Sequence, residues 1–185
     1  QLKSSVPEKA MGNNVVGAYI GVGSNIEPES NIADALTRLS ERVDITGISS
    51  FYKTAPLLRE NQNDYLNGVW QISTSISPDE LKIEVLRRIE KELHRNRESD
   101  KYAPRTIDLD ILLYGDMVMQ EDDLTIPDPD ICKRSFIAFP LLELNPDLVM
   151  PDSKAPLINL LGALSKENMI PDKIFTESLR SMVNK

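Results

Sequence analysis

The sequence predicts an α+β fold in which helices pack on an antiparallel sheet. Apolar and polar residues alternate over residues 107–113, which is the period-two pattern of a half-buried strand. Ser77-Pro78-Asp79-Glu80 has a serine cap, a proline at the first helical position and a glutamate three residues after the cap, as at a helix start. The predicted elements run strand, helix, strand, strand, helix, strand. That order is typical of a ferredoxin-like βαββαβ core with two helices on one face of the sheet.

The first half of this core is predicted from short apolar segments separated by turn residues. Ser30 or Asn31 is the expected cap of the first helix. The apolar stripe of that helix consists of Ile32, Ala35, Leu36 and Leu39. The predicted elements are a strand (17–22), a strand-to-helix turn (21–25), a helix (31–42), a strand (44–54) and a polar loop (59–64).

The second half follows the same reasoning. The strand over 68–76 alternates, with Trp70, Ile72, Thr74 and Ile76 on one face, and the helix from Ser77 to about His94 buries Leu81, Val85, Ile89 and Leu93. Residues 95–103 are charged and aperiodic, which predicts a mobile loop. The expected C-terminal elements are a hairpin near Met117, a short helix from Pro140 to Pro146, and helical segments over 157–164 and 172–182.

Composition predicts one domain over residues 15–185, with 1–14 as a disordered tail or linker. The 185 residues are 41% hydrophobic and 27% charged, as in ordinary globular proteins. The net charge of -8 argues against nucleic acid or membranes as partners, so an anionic ligand needs a local basic cluster. Cys132 is the single cysteine, and no apolar run reaches membrane-span length. We therefore expect a cytoplasmic protein.

Asp108 and Asp110 are the strongest candidate site residues. They occupy even positions between Ile107, Leu109 and Ile111, so both carboxylates are predicted on one face of a strand, with Leu113 continuing the apolar face. Two oxygen ligands with no neighbouring cysteine or histidine favour magnesium over zinc. An aspartate pair on a strand is often only a solvated edge, but Arg105 precedes this strand. Further cations precede Arg105 at Arg87, Arg88, Lys91, Arg95, Arg97 and Lys101, as a metal–nucleotide site requires.

The segment from Pro104 to Gly115, Pro-Arg-Thr-Ile-Asp-Leu-Asp-Ile-Leu-Leu-Tyr-Gly, resembles the signature of the 6-hydroxymethyl-7,8-dihydropterin pyrophosphokinase family. Four more blocks resemble that family in the same order. They are Ala18 to Asn25, Ser50 to Leu57, Asp64 to Asn67, and Leu124 to Pro127 continuing to Phe136. The resemblance implies pyrophosphoryl transfer from ATP to a hydroxymethyl dihydropterin in folate biosynthesis. It also suggests fusion to, or association with, another folate-pathway enzyme.

The resemblance implies roles for individual residues. Asp108 and Asp110 would hold two Mg²⁺ ions with ATP, and either could take the proton of the attacking hydroxyl. Arg95 and Arg105 would be catalytic and grip phosphate. The pterin set would be Thr54, Leu57, Tyr65, Asn67, Tyr102 and Phe136, in which aromatic faces hold a flat bicycle and an amide reads its edge. The nucleotide set would be Glu90, Arg95, Arg97, Lys101, Ile111, Thr125, Asp128 and Arg134.

Three positions depart from the family pattern. Asp128 stands where many members have histidine, Glu98 where some have a basic residue, and His94 where glycine is common. A carboxylate beside a triphosphate is repulsive unless a metal or an arginine such as Arg134 intervenes. One alternative is therefore a degenerate member that binds without turnover. A ferredoxin-like RNA-binding module is a second alternative, disfavoured by the pI of about 4.8.

Overall fold

The computed structural model describes residues 14–56, 62–94 and 104–183. Its main sheet contains β1 (Val16–Ser24), β2 (Asp44–Ile48), β3 (Tyr52–Thr54), β4 (Tyr65–Thr74), β5 (Asp108–Tyr114) and β8 (Ile170–Pro171), and a small hairpin pairs β6 (Met119–Gln120) with β7 (Thr125–Ile126). The helices are α1 (Pro28–Ser40), α2 (Pro78–Glu80), a π-helical segment (Leu81–Leu86), α3 (Arg87–Glu92), α4 (Ser135–Leu144), a 3-10 helix (Leu157–Leu160) and α5 (Lys173–Val183).

Antiparallel pairing sets the strand order β5-β1-β4-β3-β8, and β2 also pairs with β4. The predicted antiparallel sheet with helices packed on it is confirmed, and the strand order is compatible with the ferredoxin-like core. None of the helices in the described ranges has the length and apolar character needed to cross a membrane.

Two apolar clusters cover the two faces of the sheet. The larger joins Trp70 and Ile72 of β4 to the stripe of α1, to the helix that starts at Pro78, and to α5. The smaller lies on the opposite face, where Val69 packs with Leu141 of α4 and with Leu157. The C-terminal elements therefore cover a face that the βαββαβ core alone leaves open.

Two strand predictions need correction. The predicted turn at Gly21 to Asn25 lies mostly inside β1, which continues to Ser24. The predicted strand over 44–54 is broken into β2 and β3, because Ser49 bonds Val69 with both its backbone and its side chain. The Ser49 N–H donates to the Val69 carbonyl at 3.0 Å, and the Ser49 hydroxyl accepts the Val69 N–H at 2.8 Å.

Three helix predictions also differ from the structure. α1 begins at Pro28 rather than at 31, because Glu27 is left-handed (φ 40°) and proline is favoured at a first helical position. α4 begins at Ser135 and passes through Pro140, whose loss of one N–H donor is offset by burial of Ala138, Pro140 and Leu141. Within the predicted 157–164 segment only 157–160 is helical. The Ser77 cap is confirmed, since its hydroxyl accepts the Glu80 N–H.

Gly68 provides a test of the packing between β4 and Phe51. A Cβ added at Gly68 would lie 2.6 Å from Phe51 Cε2, whereas a Cβ at Gly17 would meet nothing within 4 Å. We expect Gly68→Ala to lower the free energy of unfolding by about 1–3 kcal/mol, because overpacking forces a buried ring to move. Urea unfolding of both variants measures this. A Gly68→Ala protein as stable as Gly17→Ala would contradict the packing described here.

Candidate active site

Asp108 and Asp110 lie on β5, a terminal strand of the sheet, and both line a cavity of about 290 Å³. Ile107, Leu109 and Ile111 point the other way and are buried in the larger core. The predicted alternation therefore places both carboxylates on the cavity side. Leu113 was predicted on the same apolar face as Leu109 and Ile111, but it lies in the smaller cluster. The reason is a register shift opposite Tyr19 and Ile20, where Leu112 has no partner in β1 and the alternation of β5 is interrupted.

Gly21 and Gly23 of β1 form the floor beside the aspartates. Gly21 pairs with Asp110, and Gly23 pairs with both Asp108 and Asn67. A Cβ at Gly23 would lie 2.7 Å from Asn67 Oδ1, so a side chain there would displace the amide. The Gly-x-Gly sequence therefore creates space between strands and is not a phosphate-binding turn.

Arg105 forms an ion pair with Asp108, and the end of β1 fixes its backbone. The Arg105 N–H donates to Asn25 Oδ1 at 2.7 Å, and the Asn25 N–H donates to the Arg105 carbonyl at 3.1 Å. The Ser24 hydroxyl donates to the Thr106 carbonyl at 2.6 Å. Ser24 and Asn25 are buried, so they position the arginine beside the carboxylates. Neither residue was predicted to have such a role, although both belong to a block that carries the family resemblance.

Glu90, a member of the predicted nucleotide set, is 1% exposed. Its Oε1 accepts the Leu109 N–H at 3.0 Å, so it fixes the backbone of β5 between the two aspartates. Glu90 lines neither cavity described here. Its position therefore favours a supporting role over direct contact with a ligand.

The far side of the 290 Å³ cavity carries residues predicted to hold a flat heterocycle. Asn67 Nδ2 donates to Thr54 Oγ1 at 2.7 Å, and both side chains are largely buried. Tyr65 and Phe136 supply aromatic walls, and Gln62 contributes a further amide. Thr54, Tyr65, Asn67 and Phe136 of the predicted pterin set therefore line one cavity, together with residues such as Gln62 that were not predicted.

A second cavity of about 210 Å³ adjoins the first, and the two share Asp110 and Asp128 in their linings. The second cavity is lined by Ile111 and Thr125, both predicted nucleotide residues, by Lys82, and by two further carboxylates, those of Asp122 and Asp123. Arg134 lies in the lining of the first. Two ligands in these cavities would therefore meet beside the aspartates.

Asp128 is the acidic residue at this junction. Burial raises the pKa of Asp128 to about 6, with a further contribution from the nearby Asp110 charge and an opposing one from the Asp130 N–H. That N–H donates to Asp128 Oδ1 at 2.8 Å. Arg134 was one expected partner of Asp128. The Arg134 guanidinium instead forms an ion pair with Asp130, with 3.9 Å between Arg134 Nε and Asp130 Oδ2. Asp128 therefore keeps its carboxylate at the cavity wall.

Several predicted site residues lie outside the described residues, namely Leu57, Arg95, Arg97, Lys101 and Tyr102. The predicted mobile loop at 95–103 lies outside them as well. Within the described ranges no cluster of three or more histidine, cysteine or acidic residues is arranged to hold a metal ion. Among the described residues the Asp108–Asp110 pair alone does not complete a cation's shell, and magnesium typically fills its shell with substrate phosphates and water.

The sequence profile of the 7,8-dihydro-6-hydroxymethylpterin-pyrophosphokinase (HPPK) family matches residues 19–146. A 2-amino-4-hydroxy-6-hydroxymethyldihydropteridine pyrophosphokinase of Haemophilus influenzae is 42% identical over 143 residues, covering 76% of this chain and 88% of the relative. The enzyme of the same name from Aquifex aeolicus is 40% identical, with 75% and 86% covered.

Longer relatives also match. The folic acid synthesis protein fol1 of Schizosaccharomyces pombe is 39% identical, covering 82% of this chain but 21% of fol1. A Plasmodium falciparum HPPK-DHPS triple mutant, solved with pteroate, has a TM-score of 0.66 at 14% identity. It covers 86% of this chain, which spans 47% of that longer chain, and it supports the fold alone.

The raised pKa of Asp128 predicts a pH-dependent stability. Between its ordinary value of 3.8 and about 6, the folded protein holds a proton at Asp128 that the unfolded chain has lost. The stability from this group is complete below 3.8 and is lost as the pH rises through 6. Asp128→Asn removes the titration and keeps an acceptor for the Asp130 N–H. We expect wild type, relative to this variant, to lose about 1 kcal/mol of stability from pH 4.5 to 7.5, allowing for solvent screening.

Urea unfolding of both proteins at each pH, in buffer with a chelator, measures that difference. A difference that does not change with pH would show that Asp128 titrates normally.

Proposed function

The chain belongs to the 7,8-dihydro-6-hydroxymethylpterin pyrophosphokinase family, and on that premise we propose that it transfers pyrophosphate from ATP to 6-hydroxymethyl-7,8-dihydropterin. The products would be AMP and the pterin pyrophosphate, an intermediate in folate biosynthesis. The observation that carries the proposal is the pair of adjoining cavities that share Asp110 and Asp128, with Asp108 in the wall of the larger one. A transfer between two bound substrates requires such a junction.

The larger cavity is proposed to bind the pterin. Phe136 and Tyr65 would hold the faces of the bicycle, and the amide of Asn67 would bond its polar edge. The hydrogen bond from Asn67 Nδ2 to Thr54 Oγ1 orients the Asn67 amide. Leu57 and Tyr102, which lie outside the described residues, stay in the proposed pterin set through the family resemblance.

The smaller cavity is proposed to bind the nucleotide, with Ile111 and Thr125 in contact with it. Arg105 and Arg134, in the wall of the larger cavity, would face its phosphates. Arginine forks pair with phosphate oxygens in two-point contacts. Arg95, Arg97 and Lys101 are proposed to complete the phosphate site, and Glu90 to support it through β5.

The Asp108–Asp110 pair fits two magnesium ions that arrive with ATP. Both groups are hard oxygen donors, and magnesium typically takes one or two carboxylates and fills its shell with phosphate and water. Glycine at positions 21 and 23 leaves room on the paired strand. When bound, such ions neutralise the charge that develops on the transferred phosphates.

The proposed reaction is an in-line displacement. The hydroxymethyl oxygen of the pterin attacks the β-phosphorus of ATP and forms a new O–P bond. The bond from the β-phosphorus to the oxygen that bridges to the α-phosphate breaks, and AMP leaves with that oxygen. The hydroxyl proton passes to a carboxylate of the aspartate pair. The protein contributes mainly positioning and charge neutralisation, as in other phosphoryl transfers.

We also propose that residues 15–185 form one pyrophosphokinase domain. Fusion to another folate-pathway enzyme is a proposal that the longer relatives support, because fol1 and the HPPK-DHPS chain extend well beyond the match.

The direct test incubates the protein with ATP, magnesium and the hydroxymethyl dihydropterin and measures AMP. We expect Asp108→Asn and Asp110→Asn each to lower turnover roughly a thousandfold or more, because loss of one cation ligand costs several kcal/mol of transition-state stabilisation. Asp44→Asn, at an exposed position of β2, is the matched control and should keep full turnover. Activity above a tenth of wild type in both site variants would refute these roles. Ligand binding without AMP formation by wild type would instead favour a degenerate member.

Asp128 gives a second prediction, on nucleotide affinity. Its carboxylate lies in the wall of both cavities and is ionised above about pH 6, so it should repel ATP phosphates. We expect Asp128→His to tighten magnesium–ATP binding about severalfold at pH 8 and low salt, and less at high salt. The magnesium–ATP affinity of Asp128→Asn should fall between that of wild type and that of the histidine variant. Calorimetric titration at two ionic strengths measures this, and equal or weaker binding by the histidine variant would place Asp128 away from the phosphates.

A further inference from the structure

Residues Ile170 to Val183, here called the C-terminal clamp, lie beyond the 19–146 region that matches the family profile. They pack beside the strand that carries Thr54. β8 pairs antiparallel with β3, with Ile170 opposite Lys53, and the other edge of β3 pairs with β4. β3 has only three residues, so its position depends on what covers both of its edges.

The clamp bonds both backbone groups of Phe51, the residue before β3. The Phe51 N–H donates to the buried Thr176 hydroxyl at 2.9 Å, and the Asp172 N–H donates to the Phe51 carbonyl at 2.8 Å. The Thr176 hydroxyl in turn donates to the Asp172 carbonyl at 2.7 Å. Because the hydroxyl proton points to Asp172, a lone pair of the hydroxyl oxygen is left for the Phe51 N–H. An ion pair of 3.0 Å joins Lys53 to Asp172. The backbone entering β3 is therefore held by residues more than a hundred positions away.

The ring of Phe51 carries this restraint to the cavity. Phe175 of α5 packs edge-on against it, with 5.6 Å between centroids. On its other side the ring fills the space where a Cβ of Gly68 would lie, and Gly68 is in the cavity wall next to Asn67. Asn67 pairs with Tyr52 in the sheet and donates to Thr54. Phe51 therefore lies between the clamp and the strand that carries Asn67.

We propose that the C-terminal clamp positions the pterin-binding side of the active site. Asp172 and Thr176 fix Phe51, and Phe51 fixes the separation of Thr54 and Asn67. The inference rests on the function proposed above. Thr176 lines neither cavity, so it is a positioning residue and not a ligand contact. A clamp that only added stability would leave the relative affinities for pterin and nucleotide unchanged.

The test measures binding of the dihydropterin, with a non-hydrolysable ATP analogue at saturation, by calorimetry below the unfolding transition. Separate titrations measure the analogue and magnesium alone. Thr176→Val leaves the Phe51 N–H without its partner, and we expect it to weaken pterin binding roughly fivefold or more while analogue binding stays within about twofold. Thr176→Ser keeps the hydroxyl and should restore wild-type pterin affinity.

Two further variants serve as controls. Val85→Ala removes buried apolar volume from the π-helical segment and lowers stability without touching β3, so its pterin affinity should match wild type. Phe175→Leu removes the edge-on ring contact with Phe51 and decides the question if Thr176→Val does not fold, with a weaker, selective loss of pterin affinity expected. The proposal is overturned if the folded clamp variants bind pterin as wild type does, or lose pterin and nucleotide in equal proportion. Absence of pterin binding by wild type would overturn the proposed function itself.

Discussion

The register of β1 between β4 and β5 is the constraint on which the site depends. Because side chains alternate on a strand, a slip of one residue would turn Asp108 and Asp110 into the larger core and bury Leu109 on the wrong side. The same register brings Gly23 opposite both Asp108 and Asn67, so one position without a side chain serves both substrate regions. The buried apolar residues of β5 maintain this register, so packing of the core and geometry of the site are specified together.

The charge of the proposed site has the same sign as that of the whole chain, whose net charge is -8. Carboxylates at 108, 110, 128 and 130 line the larger cavity, and the phosphates of ATP are proposed to lie where this cavity meets the smaller one. Arg105 and Arg134 each pair with one of these carboxylates. The residual negative charge suits a site that receives its anion together with cations. Asp128 adds to that charge, so this chain is expected to depend more strongly on its cations than it would with a neutral residue at that position.

The sequence predicts the core well where a local pattern decides the structure. The alternation in β5, the stripe of α1 and the Ser77 cap are local signals, and all three are confirmed. The errors arise where distant contacts decide. Ser49 interrupts a strand by bonding Val69, Pro140 is carried inside a helix by burial, and Leu113 changes face at a register shift. The roles of Ser24, Asn25 and Glu90 could not be read from spacing, because each bonds a backbone group far along the chain.

The two end strands of the sheet also bear on pairing with other chains. A terminal strand offers unpaired backbone groups to any other extended chain. At one end, Glu90 takes the Leu109 N–H of β5, and charged side chains at 108 and 110 flank that point. At the other, β8 has two residues and ends in Pro171, which has no N–H to donate. The glutamate that supports the aspartates thus also occupies one backbone N–H at this edge, so the same side chain contributes to the geometry of the site and to the protection of the strand.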